Sequence, residues 1–209
     1  MVLIYDRYEK MLASIYKSLQ NLNQAQLDIV LLHAPFCWEG HCTPEEEATT
    51  WQQAWKNLER IHELGLIRAI GVSNFSPSQL KELLHITSSK ISLVQNWMDP
   101  FHQDTTVREI CTANHIPYMA YSSLGGQWEY ILRSENPLYS SAVLQSLAQK
   151  YNSTVATLVL SWALQEGAII IPKAVRAEHL EANLRLEDSS VRIHEDDMIL
   201  IRSLDGTLK

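Results

Sequence analysis

An α/β fold assembled from parallel βαβ units is what this sequence predicts, and three observations point there. Short β-rich runs recur at Asp28 to His33, Ile67 to Ser73, Ile91 to Trp97, Pro117 to Ser122 and Ala168 to Pro172. Helical patterns separate them, and strands that alternate with helices pair in parallel because the helix carries the chain back across the sheet. The runs are also nearly all apolar, as in Asp-Ile-Val-Leu-Leu and Ala-Ile-Ile-Ile-Pro, which suits strands covered on both faces.

The helices follow in chain order. Residues 6 to 22 set Met11, Leu12, Ile15, Leu19 and Leu22 on one stripe, with Asp6 and Glu9 spaced as a capping box. Trp51, Trp55, Leu58 and Ile61 repeat the stripe, and Gly65 ends that helix with a residue at ease in the left-handed region. Ser76-Pro77-Ser78-Gln79 supplies an N-cap, a first-turn proline and a back-bonding Gln for a helix through Leu84. Further helices are expected at about Asp104 to Asn114, Ser141 to Tyr151, Val155 to Gln165, Ala177 to Leu184 and Glu195 to Ser203. Ser123 to Ser140, with Gly125-Gly126 and Pro137, reads as a long connection. No short repeat, low-complexity tract or linker interrupts the chain, so residues 1–209 are expected to form a single domain.

Composition excludes several functions. The 209 residues are 46% hydrophobic and 20% charged, enough apolar material for a sizeable core. A net charge of -7 without a basic patch argues against nucleic acid as a partner, because phosphate neutralisation needs clustered Lys and Arg. The longest apolar runs fall well short of the roughly 20 residues that span a bilayer, so no membrane span is expected. The apolar run at Met-Val-Leu-Ile is too short for a signal sequence. Cys37, Cys42 and Cys111 form no even framework, which points to reduced thiols in the cytoplasm. Asn74 and Asn152 open glycosylation patterns that matter only after secretion.

Strand spacing alone fits a doubly wound sheet or part of a (β/α)8 barrel. No Gly-x-Gly-x-x-Gly joins a strand to a helix, which lowers the first. The motifs Leu-Asp-Ile-Val-Leu-Leu-His-Ala-Pro at 27 to 35, Ile-Arg-Ala-Ile-Gly-Val-Ser-Asn-Phe-Ser at 67 to 76 and Ile-Pro-Lys at 171 to 173 then resemble those of the aldo-keto reductase family. Val-Gln-Asn at 94 to 96, Tyr-Ser-Ser-Leu-Gly at 121 to 125 and Trp-Ala-Leu-Gln-Glu-Gly at 162 to 167 continue the match in order, so it spans nearly the whole chain. The resemblance implies an α/β fold: an incomplete TIM (β/α)8 barrel holding strands four to eight with their helices. Only Met1 to Tyr5 precede the first capped helix, too few residues for three βα units, so the chain is expected to start after the third strand.

The resemblance implies reduction of aldehydes and ketones, with hydride passing from a nicotinamide to the carbonyl carbon and a tyrosine giving the proton. An aspartate and a lysine lower that tyrosine's pKa, since an unperturbed phenol near 10 is a poor acid at neutral pH. These three belong to strands without a counterpart here. Tyr5-Asp6 does not match their spacing. His33, which matches the histidine that orients the substrate carbonyl, is the one catalytic residue carried over.

Cofactor contacts are implied at more positions. Ser73, Asn74 and Gln95 match the groups that hold the nicotinamide carboxamide. Tyr121 matches the aromatic stacked on its ring, and Ser122, Leu124, Gly126 and Gln127 match the loop beside the pyrophosphate. Lys173 matches the cation at the adenosine phosphate, and Asn183 the adenine contact. His179 stands where an arginine commonly meets the 2′-phosphate, and Ala174 where serine is usual. NADP is the cofactor that the resemblance implies; an imidazole lacks the guanidinium fork that meets a 2′-phosphate, which keeps NAD as the alternative.

Cys37, His41 and Cys42 offer at most three zinc ligands where structural zinc takes four, so no metal site is expected. Trp38 lies in the loop that borders the substrate pocket of the resembling family. Two alternatives to a reductase stand: a non-catalytic nucleotide-binding or interaction protein, and an incomplete product of a larger gene. Open sheet edges lead to an expectation of self-association. The identity of the small carbonyl substrate is not encoded in these motifs.

Overall fold

The structure is a computed structural model that describes residues 8–37, 49–133, 135–189 and 191–208. The chain divides into two compact units, Met1–Gln95 with Thr106–Pro117, and Asn96–Thr105 with Tyr118–Lys209.

In the first unit, α1 (Tyr8–Leu22) buries Met11, Ile15 and Leu19, one stripe at helical spacing. Its end closes through Asn23 in the left-handed region (φ 50°), with Gln24 N–H donating to Leu19 O. Leu22, expected on the stripe, is 61% exposed. The closing turn has already carried the chain away from the core there. Asp6, the expected cap, lies outside the described residues. Strand β1 (Leu27–Leu32) leads to α2 (Trp51–Glu63), capped by Thr50, whose hydroxyl accepts from Gln53 N at 3.3 Å. Trp55, Leu58 and Ile61 of α2 are fully buried. Gly65 follows at φ +76°, as the sequence predicts.

Strand β2 (Ile67–Ser73) runs parallel to β1, from Leu27 opposite Ile67 to Leu32 opposite Val72. It also runs parallel to β3 (Ile91–Trp97), with Ser73 opposite Gln95 and a register shift between Ile70 and Val72. Gly71 sits at that shift. A Cβ there would lie 2.2 Å from the Leu93 carbonyl oxygen, so only glycine fits. Helix α3 (Pro77–Ile86) carries the predicted capping box between Ser76 and Gln79. Ahead of β3, the buried Glu59 carboxylate accepts from Thr87 Oγ1 and from the backbone N–H groups of Ser88 and Ser89 at 2.8–2.9 Å. Burial would raise its pKa, but those hydrogen bonds together hold it below the ordinary value. Helix α4 (Thr105–Ala113) buries Val107 and Cys111.

In the second unit, β4 (Tyr118–Tyr121) pairs in parallel with β5 (Ile169–Ile170), Met119 opposite Ile169 and Ala120 opposite Ile170. The expected strand from Ala168 to Pro172 is thus a two-residue ladder, and with Ile169 and Ile171 exposed it is not covered on both faces, so the apolar run marked neither burial nor the length of pairing. The expected connection at Ser123 to Ser140 holds two short helices, α5 (Gly126–Leu132) and α6 (Pro137–Ser140). Gly125, read as a breaker, is the left-handed entry to α5, and Pro137 is the first residue of α6, with Asn136 Oδ1 accepting from Leu138 N–H at 3.1 Å. Helices α7 (Ala142–Lys150) and α8 (Val155–Gln165) are capped by Ser141 and Thr154. α8 buries Leu158, Val159 and Trp162 and packs against α7, α9 (Ala177–Ser189) and β5. α9 runs past the expected Leu184. Helix α10 (Glu195–Arg202) follows, with acidic residues in its first turn, where the helix dipole favours them. No described helix is long and apolar enough to cross a membrane.

The cysteine expectation is corrected. Cys37 is disulfide-bonded, whereas Cys111, buried on α4, is in no disulfide. A count of cysteines carries no information on which of them come within bonding distance.

Candidate functional site

At the end of β1 in the first unit, Ile29, Leu31 and His33 alternate along the strand and line a cavity of about 250 Å³ with Ser73 and Gln95. Period-two alternation puts these three side chains on one face, and the parallel register sets Ser73 beside Gln95. Asn74 follows at φ 60°, a conformation that asparagine tolerates better than most residues. Its side-chain amide donates to His33 O at 2.7 Å and to Ser73 Oγ at 3.1 Å, while its backbone N–H donates to Gln95 O at 3.1 Å. Three strand ends are thereby tied at one residue. His33 is half-buried, and burial lowers its pKa. The imidazole is therefore neutral at pH 7, able to donate from one nitrogen and accept at the other. The sequence singled out His33, Ser73, Asn74 and Gln95, which the structure brings together, but not the apolar floor of Ile29 and Leu31. Their i, i+2 spacing from His33 is the signal that could have found them.

In the second unit, a cavity of about 410 Å³ is lined by the β4–α5 loop, by Asn136 and Tyr139 from the α6 region, and by Ile171, Pro172 and Lys173 after β5. Ser122, Leu124, Gly126 and Lys173, all predicted, lie on its wall. Ser122 takes a left-handed conformation (φ 52°), and its hydroxyl accepts from Gln127 Nε2 at 3.2 Å. Asn136 Nδ2 donates to Leu124 O at 2.7 Å, and Gly125 N–H to Ser122 O at 2.9 Å, so the loop is held from both sides. A Cβ at Gly126 would meet nothing within 4 Å, leaving that wall open. Ser123, Glu129, Asn136 and Tyr139 are lining residues that the sequence reading missed. Ser123 sits in the β4–α5 loop among the predicted residues and Glu129 in the first turn of α5, three residues after Gly126, which is the signal that was available.

Tyr121, half-buried at the end of β4, has its pKa raised by burial and then by the Asp104 carboxylate. A phenol made harder to ionise is a poor proton relay, which suits a ring that offers a flat apolar face. His179 is exposed on α9 and Asn183 half-buried on it; neither lines this cavity.

Two further groupings were not read from sequence. Asp99 is fully buried and accepts from Trp97 Nε1 at 2.8 Å and from the N–H groups of Phe101 and His102 at 2.8 and 3.2 Å. Burial raises its pKa against those hydrogen bonds. Asp99-Pro100 is a turn signature that could have flagged it. Lys150, Tyr151, His194 and Asp197 gather the residue types of an acid-base site: Lys150 donates to both Asp197 oxygens, at 2.7 and 3.0 Å, and Tyr151 OH donates to Asp197 Oδ2. Burial and that hydrogen bond raise the Tyr151 pKa, the wrong direction for a proton donor at neutral pH. This cluster anchors the start of α10.

Among the described residues no three His, Cys, Asp or Glu side chains group to hold a metal ion. Trp38, His41 and Cys42 lie outside the described residues.

The model of the aldo/keto reductase family matches residues 4–205. The chain is 32% identical over 199 residues to a 9,11-endoperoxide prostaglandin H2 reductase of Trypanosoma cruzi, covering 95% of this chain and 63% of that protein. It is 31% identical over 198 residues to a glyoxal reductase of Bacillus subtilis, covering 95% of this chain and 64% of that one. The crystal structure of an aldo-keto reductase complexed with NADPH is 24% identical, has a TM-score of 0.85 and is covered to 63%, a likeness of fold. The chain thus spans about three-fifths of the length of these curated relatives.

Proposed function

The chain belongs to the aldo/keto reductase family, and on that premise we propose that it binds a nicotinamide dinucleotide, NADP(H) with NAD(H) as the alternative, and serves the reduction of small aldehydes and ketones. In this reading the five described strands stand for strands four to eight of the barrel, within a single domain. When bound, the cofactor supplies the hydride that the carbonyl carbon accepts. The observation that carries the reading is the gathering of Ser122, Leu124, Gly126 and Lys173 around one cavity of about 410 Å³. The lining suits a phosphate-bearing ligand: Lys173 brings positive charge to the wall, which is left open at Gly126.

The chain's own residues divide the work. Lys173 neutralises phosphate charge, and Ser73, Asn74 and Gln95 offer amide and hydroxyl groups to a carboxamide, which selects the ring face presented. Tyr121 supplies a flat apolar surface. His33, neutral at pH 7, can donate one hydrogen bond to a carbonyl oxygen and so orient it. Gln127 braces the loop through Ser122. His179 and Asn183 serve the adenosine end, where His179 is the weak element of a preference for NADP. A cytoplasmic setting completes the reading, with the Cys37 disulfide as the observation weighing against it.

A second reading, cofactor binding without turnover, is favoured by one observation. The described residues lining the His33 cavity include neither a tyrosine nor a lysine that could pass the proton. One experiment separates the two. NADPH titrated into the purified chain should quench its tryptophan fluorescence saturably, and less so in Lys173→Ala. With an aldehyde of broad reactivity, NADPH consumption above that of His33→Ala supports the reductase. Binding without consumption supports the second reading, and no binding rejects both.

A further inference from the structure

Two asparagines open glycosylation patterns, and their surroundings differ sharply. In Asn74-Phe75-Ser76, Asn74 Nδ2 donates to His33 O at 2.7 Å and to Ser73 Oγ at 3.1 Å, and Phe75 is 1% exposed. The nitrogen that a sugar would occupy is spent on tying strand ends together. Asn152-Ser153-Thr154 forms the turn between α7 and α8. Asn152 is exposed, and its side-chain amide makes no hydrogen bond among the described residues. Its backbone stands at φ 48°, with Asn152 N–H donating to Gln149 O at 3.0 Å and Ser153 N–H to Ala148 O at 2.9 Å, a left-handed close to α7. That turn uses only the backbone and leaves the amide without a task in the fold. Thr154 caps α8, its Oγ1 accepting from Thr157 N–H at 3.0 Å. Aspartate and asparagine cap a helix at least as well as threonine, but only a hydroxyl residue completes the glycosylation pattern.

An independent observation concerns the compartment. Cys37 is disulfide-bonded, and a standing disulfide belongs to an oxidising setting such as the secretory pathway, where asparagines of this pattern receive sugar. We propose that Asn152 is a glycosylation site, its side-chain amide nitrogen carrying an N-linked oligosaccharide. In the transfer, that nitrogen bonds to the anomeric carbon of an oligosaccharide held on a lipid pyrophosphate. The carbon–oxygen bond to the pyrophosphate breaks, the lipid pyrophosphate leaves with the bonding pair, and the amide gives up one proton. Asn152 lines neither of the two cavities, so the site is separate from both. The inference sides with the Cys37 disulfide on the chain's setting and does not rest on the cofactor reading, so each can fail without the other.

The whole chain, recovered from the cells that make it and treated with peptide N-glycosidase, should lose the mass of one oligosaccharide in a single step. Mass spectrometry of the treated peptide should read an aspartate where the sequence has Asn152. No loss of mass overturns the inference and leaves Asn152 as a helix stop alone. Expressed in the same cells, Asn152→Gln should abolish the step. Thr154→Asp should abolish it too while keeping a cap on α8, so a lost step there is not a lost fold. Thr154→Ser preserves both cap and pattern and should retain the step. A step that survives both Asn152→Gln and Thr154→Asp puts the sugar on another residue and overturns the inference as well.

Discussion

The side-chain amide of Asn74 donates to the carbonyl oxygen of His33 at 2.7 Å, joining the ends of β1 and β2 at the site. Asn74 reaches that carbonyl because its backbone is left-handed, so its conformation and its hydrogen bonds depend on each other. Two variants separate them. Asn74→Gly keeps the backbone at ease and loses the amide, which should cost about 1–3 kcal/mol. Asn74→Ala also forces a Cβ into the left-handed region, adding about 1–2 kcal/mol. Urea unfolding reads both. Equal midpoints for the two variants would show that the left-handed backbone carries no strain for alanine.

Burial lowers the His33 pKa from 6.5 in the folded protein, which has a consequence for stability. Below about 6.5 the unfolded chain takes up a proton that the folded chain resists, so stability is greatest above that pH and declines as pH falls through it. Urea midpoints measured from pH 8 to pH 5 should slope downward on the acid side. His33→Gln should flatten part of that slope, and an identical slope in the variant would refute the assignment.

Much of the fold was legible because its signals are local. The Ser76–Gln79 capping box, the left-handed Gly65 and the α2 stripe each depend on a few neighbouring residues, and each is found. The helices of the β4–α6 segment escaped because Gly125 and Pro137 break one element while starting another, and sequence alone does not say which. Site residues embedded in motifs, such as His33 and Lys173, could be named. Ser123 and Asp99 could not, since what distinguishes them is the burial of a polar group, a property of packing. Tyr151 illustrates the converse: its neighbours have the residue types of catalysis, and its hydrogen bonds, donated to Asp197 and accepted from His194 N–H, identify an anchor.

Gly71 tests how far a family-like motif is dictated by packing. A Cβ there would lie 2.2 Å from Leu93 O and 2.8 Å from Leu31 Cδ2. The first obstacle is backbone and cannot swing away, so Gly71→Ala must push β2 from β3. A loss of about 1–3 kcal/mol, or somewhat more, is expected. Because β2 positions Ser73 opposite Gln95, cofactor affinity should fall with it. A midpoint within error of the unmodified chain would show that the strands part without cost.

Glu129 is the carboxylate on the wall of the Lys173 cavity. It is exposed, so its opposition to a bound phosphate is on the scale of a surface charge contact. Glu129→Gln should tighten NADPH binding about 2- to 5-fold at low salt, with the gain shrinking as salt rises. Affinity that stays constant, or weakens, would place the phosphates away from this wall.

Strand β1 lies at the end of its unit's strand order, paired among the described residues with β2 on one side. Ile29 on it is 40% exposed, an apolar side chain on an edge that natural proteins more often blunt with charge. Asp28 supplies one such charge, but it is paired with Arg68 at 2.7 Å, which weakens its effect as a deterrent. Self-association at micromolar concentration is therefore expected, read as a molar mass above 23.9 kDa by light scattering on an eluting peak. Ile29→Lys places an unpaired charge on the edge and should shift the mass toward that of one chain. A sharp single-chain peak with a cooperative melt for the unmodified protein would remove the argument, since an open, apolar strand edge should then have been satisfied in some other way.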